Sequence, residues 1–208
     1  MERKSENVLI VFLRNPVEGQ VKSRLAASVG EQKALSVYRR LIEHTRQVAL
    51  ECSSDVHVFY SDFVDHDDQW LQSDFRKHQQ QGEDPGSRMI NALNLADEMG
   101  YSKKVIIGSD CPEITSDIIN DAFKKLDEYD VVIGPAMGGG YYLVGLEEIY
   151  SELFKEIDWE SENVFDQTIR VLQNNGVIWY ETPILSKIEV EEDLPKMRKI
   201  SSRSLLFD

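Results

Sequence analysis

The strongest constraint on this chain is a recurring order of patterns: a short apolar run, an abrupt break, then apolar residues at helical spacing. Asn7-Val-Leu-Ile-Val-Phe-Leu13 is the clearest run, and its unbroken apolar character predicts a strand buried on both faces. Pro16 and Gly19 break the regular structure after it. From about Gly30, Ala34, Leu35, Tyr38, Leu41, Ile42, Thr45 and Val48 fall on one helical face. Residues 56–60 alternate as a second strand, and the polar stretch 65–85 reads as a short helix plus loop. A helix over 88–99, begun near Gly86-Ser87, precedes a strand over 104–107. Thr115 or Ser116 caps a helix carrying Ile118, Ile119, Ala122, Phe123 and Leu126. Strands over 130–133 and 141–144, helices near 147–155 and 163–174, and a strand near 177–180 complete the order. Such alternation means βαβ units: an α/β chain with a mostly parallel sheet and helices on both faces. With no repeat, low-complexity tract or linker, residues 1–208 read as a single domain.

Charge narrows the function. The chain carries 23 Lys+Arg against 37 Asp+Glu, a formal charge of −14. That balance argues against a partner that is a nucleic acid polymer, whose phosphates require clustered basic groups. Residues 1–24 run the other way: five basic residues face three acidic ones, which suits a small anion. No apolar run near the N-terminus approaches the roughly 20 residues of a membrane span, and no secretory signal is expected. Two cysteines, Cys52 and Cys111, make no disulfide framework, so a cytoplasmic setting is expected.

Several common chemistries lack their motifs. The segment 14–24 holds only Gly19, not G-x-G-x-x-G, and no Walker-type phosphate loop occurs. The four histidines show no zinc spacing, and no G-x-S-x-G elbow is present.

Three unusual segments instead sit at strand ends, where α/β folds bind ligands. In the first, Arg14, Lys22 and Arg24 flank Gly19 and offer a fork and point charges to phosphate oxygens; a solvated basic loop is the alternative. In the second, Gly108-Ser-Asp-Cys-Pro112, Asp110 is suited to Mg²⁺ bridging substrate phosphates, or else caps the next helix. Cys111 has no neighbouring histidine and reads as a packed small residue. In the third, Gly138-Gly-Gly140 lets a ligand approach backbone N–H groups, or simply forms a turn.

Together these segments resemble the bacterial glycosyltransferase-like family of the radical-SAM/selenodomain-associated transferase type, related to nucleotide-diphospho-sugar transferases of the GT-A fold. The likeness is carried by Pro16-Val-Glu-Gly-Gln-Val-Lys-Ser-Arg-Leu-Ala26, Gln81-Gly-Glu-Asp-Pro-Gly-Ser-Arg-Met89 and Ile106-Ile-Gly-Ser-Asp-Cys-Pro112. It continues through Asp130-Val-Val-Ile-Gly-Pro-Ala136, Gly139-Gly-Tyr-Tyr-Leu-Val-Gly-Leu146 and Ile157-Asp-Trp159. The resemblance implies a Rossmann-like nucleotide-binding sheet with Mg²⁺ or Mn²⁺ on Asp110, and phosphates on Lys22 and Arg24. Arg88 would approach the nucleotide or its substrate, and Ser109, Gly139 and Gly140 are further candidates for binding the nucleotide or its phosphates. Two departures stand out: Gly138 precedes the paired glycines where the family has an acidic residue, and Lys187-Ile-Glu189 replaces a D-[VI]-D element. Glu189 still offers a carboxylate to a metal, whereas Lys187 does not. The acidic run 189–193 also reads as a solvated helix start.

The resulting expectation is a metal-dependent transferase in which Asp110 and Lys22 are catalytic. Its substrate is a nucleoside triphosphate or nucleotide-sugar, with a small-molecule acceptor that the sequence does not identify. Glycosyl transfer releases a nucleoside diphosphate and nucleotidyl transfer releases pyrophosphate. Asp158, beside Trp159, is a candidate general base. A nucleotide-binding module without turnover, and a scaffold with an unused cleft, are the alternatives.

Overall fold

The computed structural model describes residues 3–155, 157–198 and 200; the rest of the 1–208 span read as one domain lies outside the described residues. Strand β1 (Asn7–Leu13) is followed by helices α1 (Ser23–Val29) and α2 (Glu31–Leu50), then β2 (Asp55–Tyr60) and β3 (Arg76–Gln79). Helix α3 (Pro85–Glu98), β4 (Lys103–Gly108), α4 (Ser116–Lys125), β5 (Val131–Pro135) and β6 (Tyr141–Leu146) come next. The chain closes with α5 (Val164–Asn174) and β7 (Trp179–Glu181), with 3₁₀ turns over Ser151–Phe154 and Glu191–Met197.

The seven strands form one sheet in the order β3-β2-β1-β4-β6-β5-β7. β1 pairs in parallel with both β2 and β4, β2 with β3, and β5 with β7. β6 runs antiparallel to both β4 and β5, so it alone opposes the sheet direction. The expected mostly parallel sheet is therefore present. Chain order reverses between β1 and β4: from β1 the chain builds outward to β3, then returns to the other side. Such a switch point opens a crevice at the carboxyl ends of the two strands. The β5–β6 hairpin turns at the same edge because β6 starts where β5 ends.

Alternating residues of the buried strands feed two cores. Leu9, Val11, Val58 and Ile107 pack under α2 and α4 through Val48, Ile119 and Phe123. Val8, Ile10, Ile106 and Val144 pack on the other face against Met89 and Leu93 of α3 and Leu172 of α5. A third cluster joins α1 and α2 to the C-terminal segment through Leu25, Leu41, Ile188 and Met197. None of the described helices is long and apolar enough to cross a membrane.

Four local expectations are corrected. Residues 65–75 form turns, not a helix, and β3 emerges from the polar sequence Arg-Lys-His-Gln. This edge strand gains its support from its sides: His78 stacks on His57 at 5.0 Å, and Lys77 pairs with Asp68 at 2.6 Å. Helix α1 arises within the basic segment, because Gly30 at φ 85 ends it by donating its N–H to Ala26 and starts α2 by accepting from Ala34. The helix expected over 147–155 shrinks to a single 3₁₀ turn, and the acidic 189–193 run likewise leads into a 3₁₀ turn containing Pro195, whose missing N–H disfavours an α-helix.

Candidate functional site

The loop after β1 is pinned before it reaches the crevice. Asn15 is buried; its amide donates to the Phe63 carbonyl at 2.9 Å and its side-chain oxygen accepts from the Asp62 N–H at 3.0 Å. The Arg14 N–H donates to the Tyr38 hydroxyl at 2.8 Å, and that hydroxyl meets Ser109 Oγ at 2.9 Å. A buried phenol from α2 thus ties the end of β1 to the end of β4. Burial pushes the Tyr38 phenol up to about 12, so it stays protonated.

At the end of this loop Lys22 adopts a left-handed backbone, φ 52 and ψ 46, and is the only non-glycine with positive φ among the described residues. An L-residue there costs about 1–2 kcal/mol, and such strain gathers where a side chain must be aimed. Lys22 Nζ lies 3.5 Å from Asp110 Oδ2 and 5.8 Å from the centre of the Tyr38 ring. The pair is largely enclosed, with 12% and 25% of the two side chains exposed. Burial would raise the Asp110 carboxyl, but the Lys22 and Lys187 ammonium groups and the Lys22 hydrogen bond outweigh it and hold the carboxyl below its usual range.

Two adjoining lobes open at this edge. The smaller, about 430 Å³, is lined by Arg14, Lys22, Arg24, Arg88 and Lys187 against only Asp110 and Glu189 as acidic groups. On a chain of net charge −14 this is a local reversal of sign. The larger lobe, about 610 Å³, has an apolar wall of Met89, Tyr141 and Trp159, with Gly138 and Gly140 at its rim. Both lobes share Arg24, Lys187 and Glu189.

The expected residues separate by position. Arg14, Lys22, Arg24, Arg88, Ser109 and Asp110 all line the smaller lobe, and Gly140 lines the larger. Arg88 is braced by the Gly82 carbonyl at 3.0 Å. Gly19 lines neither lobe; at φ 76 it makes a turn beside Glu31. Gly139 also turns away, since a Cβ there would lie 1.6 Å from the Glu162 carbonyl oxygen. Its glycine is required by backbone packing, and its N–H donates to Ala136 within the hairpin. Asp158 accepts a bond from the Glu160 N–H within its own turn and lines neither lobe. Cys111 is buried and its thiol is pushed up to about 12 by that burial, which fits packing and not nucleophilic attack.

Glu189, expected beside Asp110 at a metal, is paired with Arg24 at 3.0 Å. Asp110 itself is engaged by Lys22. Among the described residues no group of three His, Cys, Asp or Glu side chains could hold a metal ion. The described carboxylates, Asp110 held by Lys22 and Glu189 by Arg24, thus form no ready-made cluster for a resident divalent ion. Sequence reasoning passed over Tyr38, whose place on the helical core stripe gave no sign of its hydroxyl bonds, and treated Lys187 only as a missing acid.

Comparison with known proteins agrees with this architecture. A crystal structure of a candidate nucleotide-diphospho-sugar transferase from Desulfovibrio desulfuricans G20 is 27% identical, with a TM-score of 0.84, covering 97% of this chain and 96% of that one. A nucleotidyl transferase from Methanothermobacter thermautotroptrophicus is 15% identical with a TM-score of 0.61, covering 95% and 98% of the two chains. CMP:2-keto-3-deoxy-manno-octonic acid synthetase complexed with CTP is 12% identical with a TM-score of 0.59, covering 96% and 100%. The last two likenesses show the shared fold alone. No curated protein matches. The nucleotide-diphospho-sugar transferase type of fold expected from the sequence is borne out, and the chain belongs to the bacterial family described as uncharacterized protein conserved in bacteria (DUF2064), whose model matches residues 44–161.

Proposed function

We propose that this chain is a transferase acting on a nucleotide-activated substrate, with the substrate's phosphates seated in the smaller lobe. The observation that carries this reading is the meeting of Lys22 and Asp110 at 3.5 Å across the β1/β4 switch point, inside a ring of basic groups. Lys22 and Arg24 neutralise charge that develops on a departing diphosphate or pyrophosphate, while Arg14 and Arg88 fix its orientation. Each such charge-assisted bond contributes about 1.5–3 kcal/mol. Ser109, held by Tyr38, lines the lobe. The larger lobe, with its aromatic wall and the Gly138 and Gly140 rim, receives the group being transferred or its acceptor. Support comes also from the 27% identical neighbour, which is described as a nucleotide-diphospho-sugar transferase candidate, and from the CTP complex of a protein sharing the fold. The metal dependence expected from the resemblance does not enter this reading, which rests on the basic side chains lining the lobe.

The test is a product assay across nucleoside triphosphates and nucleotide-sugars with mixed sugar, alcohol and phosphate acceptors. Release of nucleoside diphosphate identifies glycosyl transfer and release of pyrophosphate identifies nucleotidyl transfer. Binding of a nucleotide with neither product identifies a module without turnover. No binding of any nucleotide sinks the proposal.

A further inference from the structure

Lys187 is half-buried and lines both lobes. Its position is fixed by the chain beside it, since the Ile188 N–H donates to the Asp110 carbonyl at 3.0 Å and Ile188 is fully buried. The Lys187 ammonium reaches to 3.8 Å from where a Cβ on Gly140 would stand, so it spans from the β4 end to the glycine hairpin. It enters no ion pair among the described residues and its charge acts on the Asp110 carboxylate. Asp110 thus has the Lys22 ammonium in contact at 3.5 Å and the Lys187 side chain lining the same lobe, while the Glu189 charge is matched by Arg24 at 3.0 Å.

A divalent ion on Asp110 would have to enter against the like charge of Lys22, 3.5 Å from the carboxylate, and of Lys187, which lines the same lobe. The same two ammonium groups leave a surplus of positive charge aimed at the lobe. We propose that Lys187, together with Lys22, supplies the charge that a divalent ion would bring, so that the nucleotide polyphosphate binds here without metal. This rests on the nucleotide reading above and goes beyond it by assigning Lys187 as a phosphate-binding residue in place of a metal. No covalent step is added: the ammonium groups donate hydrogen bonds to the phosphate oxygens.

The experiment is titration calorimetry of the full chain with the four ribonucleoside triphosphates, each in EDTA and in excess MgCl₂. Wild type is expected to bind its preferred triphosphate equally well in both buffers. Lys187→Met, which keeps the aliphatic stem, is expected to lose about tenfold or more in EDTA. Lys187→Asp is expected to bind weakly in EDTA and to recover in MgCl₂, since it sets a second carboxylate in the lobe that Asp110 lines. Melting curves of both variants establish that they are folded. Wild-type binding only in MgCl₂, or unchanged binding by Lys187→Met in EDTA, overturns this inference while leaving the nucleotide reading intact. Absence of binding in both buffers overturns the two together.

Discussion

Lys22 Nζ and Asp110 Oδ2 stand 3.5 Å apart although 88 residues separate them in the chain. The contact joins the loop after β1 to the loop after β4, where strand order reverses. It is made by the one strained non-glycine backbone among the described residues, which ties conformational cost to a site and not to packing.

That strain can be separated from the charge. Lys22→Ala and Lys22→Gly both remove the ammonium, so both are expected to weaken nucleotide binding about tenfold or more. Only glycine accepts φ 52 freely. Lys22→Gly is therefore expected to be about 1 kcal/mol more stable than Lys22→Ala in urea denaturation, and equal stabilities would contradict the strain.

Tyr38→Phe removes the hydroxyl that accepts from Arg14 N–H and meets Ser109 Oγ. Leaving the buried Ser109 hydroxyl and the part-buried Arg14 N–H unpaired should cost about 1–3 kcal/mol of stability. Because the change loosens both loops, nucleotide affinity should fall with it. A stability change below the error of denaturant unfolding would remove Tyr38 from this role.

The glycine hairpin gives a contrast of neighbours. Gly139→Ala would drive a Cβ into the Glu162 carbonyl, whereas Gly138 has open space around it at φ 95. Gly139→Ala is expected to destabilise by about 3 kcal/mol and Gly138→Ala by about 1 kcal/mol. Thermal unfolding of the two variants checks the order, and reversal of that order would contradict the close approach.

Much of this architecture was legible because β1, β4 and β5 carry dense apolar runs that belong in a sheet interior, and β2 alternates as a strand does. Lys22, Arg24 and Asp110 were legible as chemistry because charged groups at strand ends have few structural reasons to be there. β3 was hidden because an edge strand of Arg76, Lys77, His78 and Gln79 draws its support from partners distant in sequence. Tyr38 was hidden by its core position. Lys187 was visible as a sign change, but only its placement in both lobes and against Gly140 gives that change a meaning.

His57 makes the fold acid-sensitive. It is 1% exposed, stacked on His78, and burial first, then the charges of His78 and Arg76, depress it from 6.5 to about 3. The unfolded chain binds this proton below pH 6.5 while the folded chain resists it down to about 3. Stability is thus full above pH 6.5 and is lost as pH falls through that window, by about a factor of ten in the folding equilibrium per pH unit. His57→Gln should flatten this slope in denaturant unfolding between pH 6 and about 4. An unchanged slope would show that His57 is protonated in the folded chain.

The most direct measurement is a crystal structure of the chain soaked with the nucleotide that binds it most tightly. The expected result is a phosphate group at hydrogen-bonding distance from Lys22 Nζ, in the crevice between the ends of β1 and β4. A nucleotide bound elsewhere, with the Lys22–Asp110 contact undisturbed and no phosphate near it, would contradict the account.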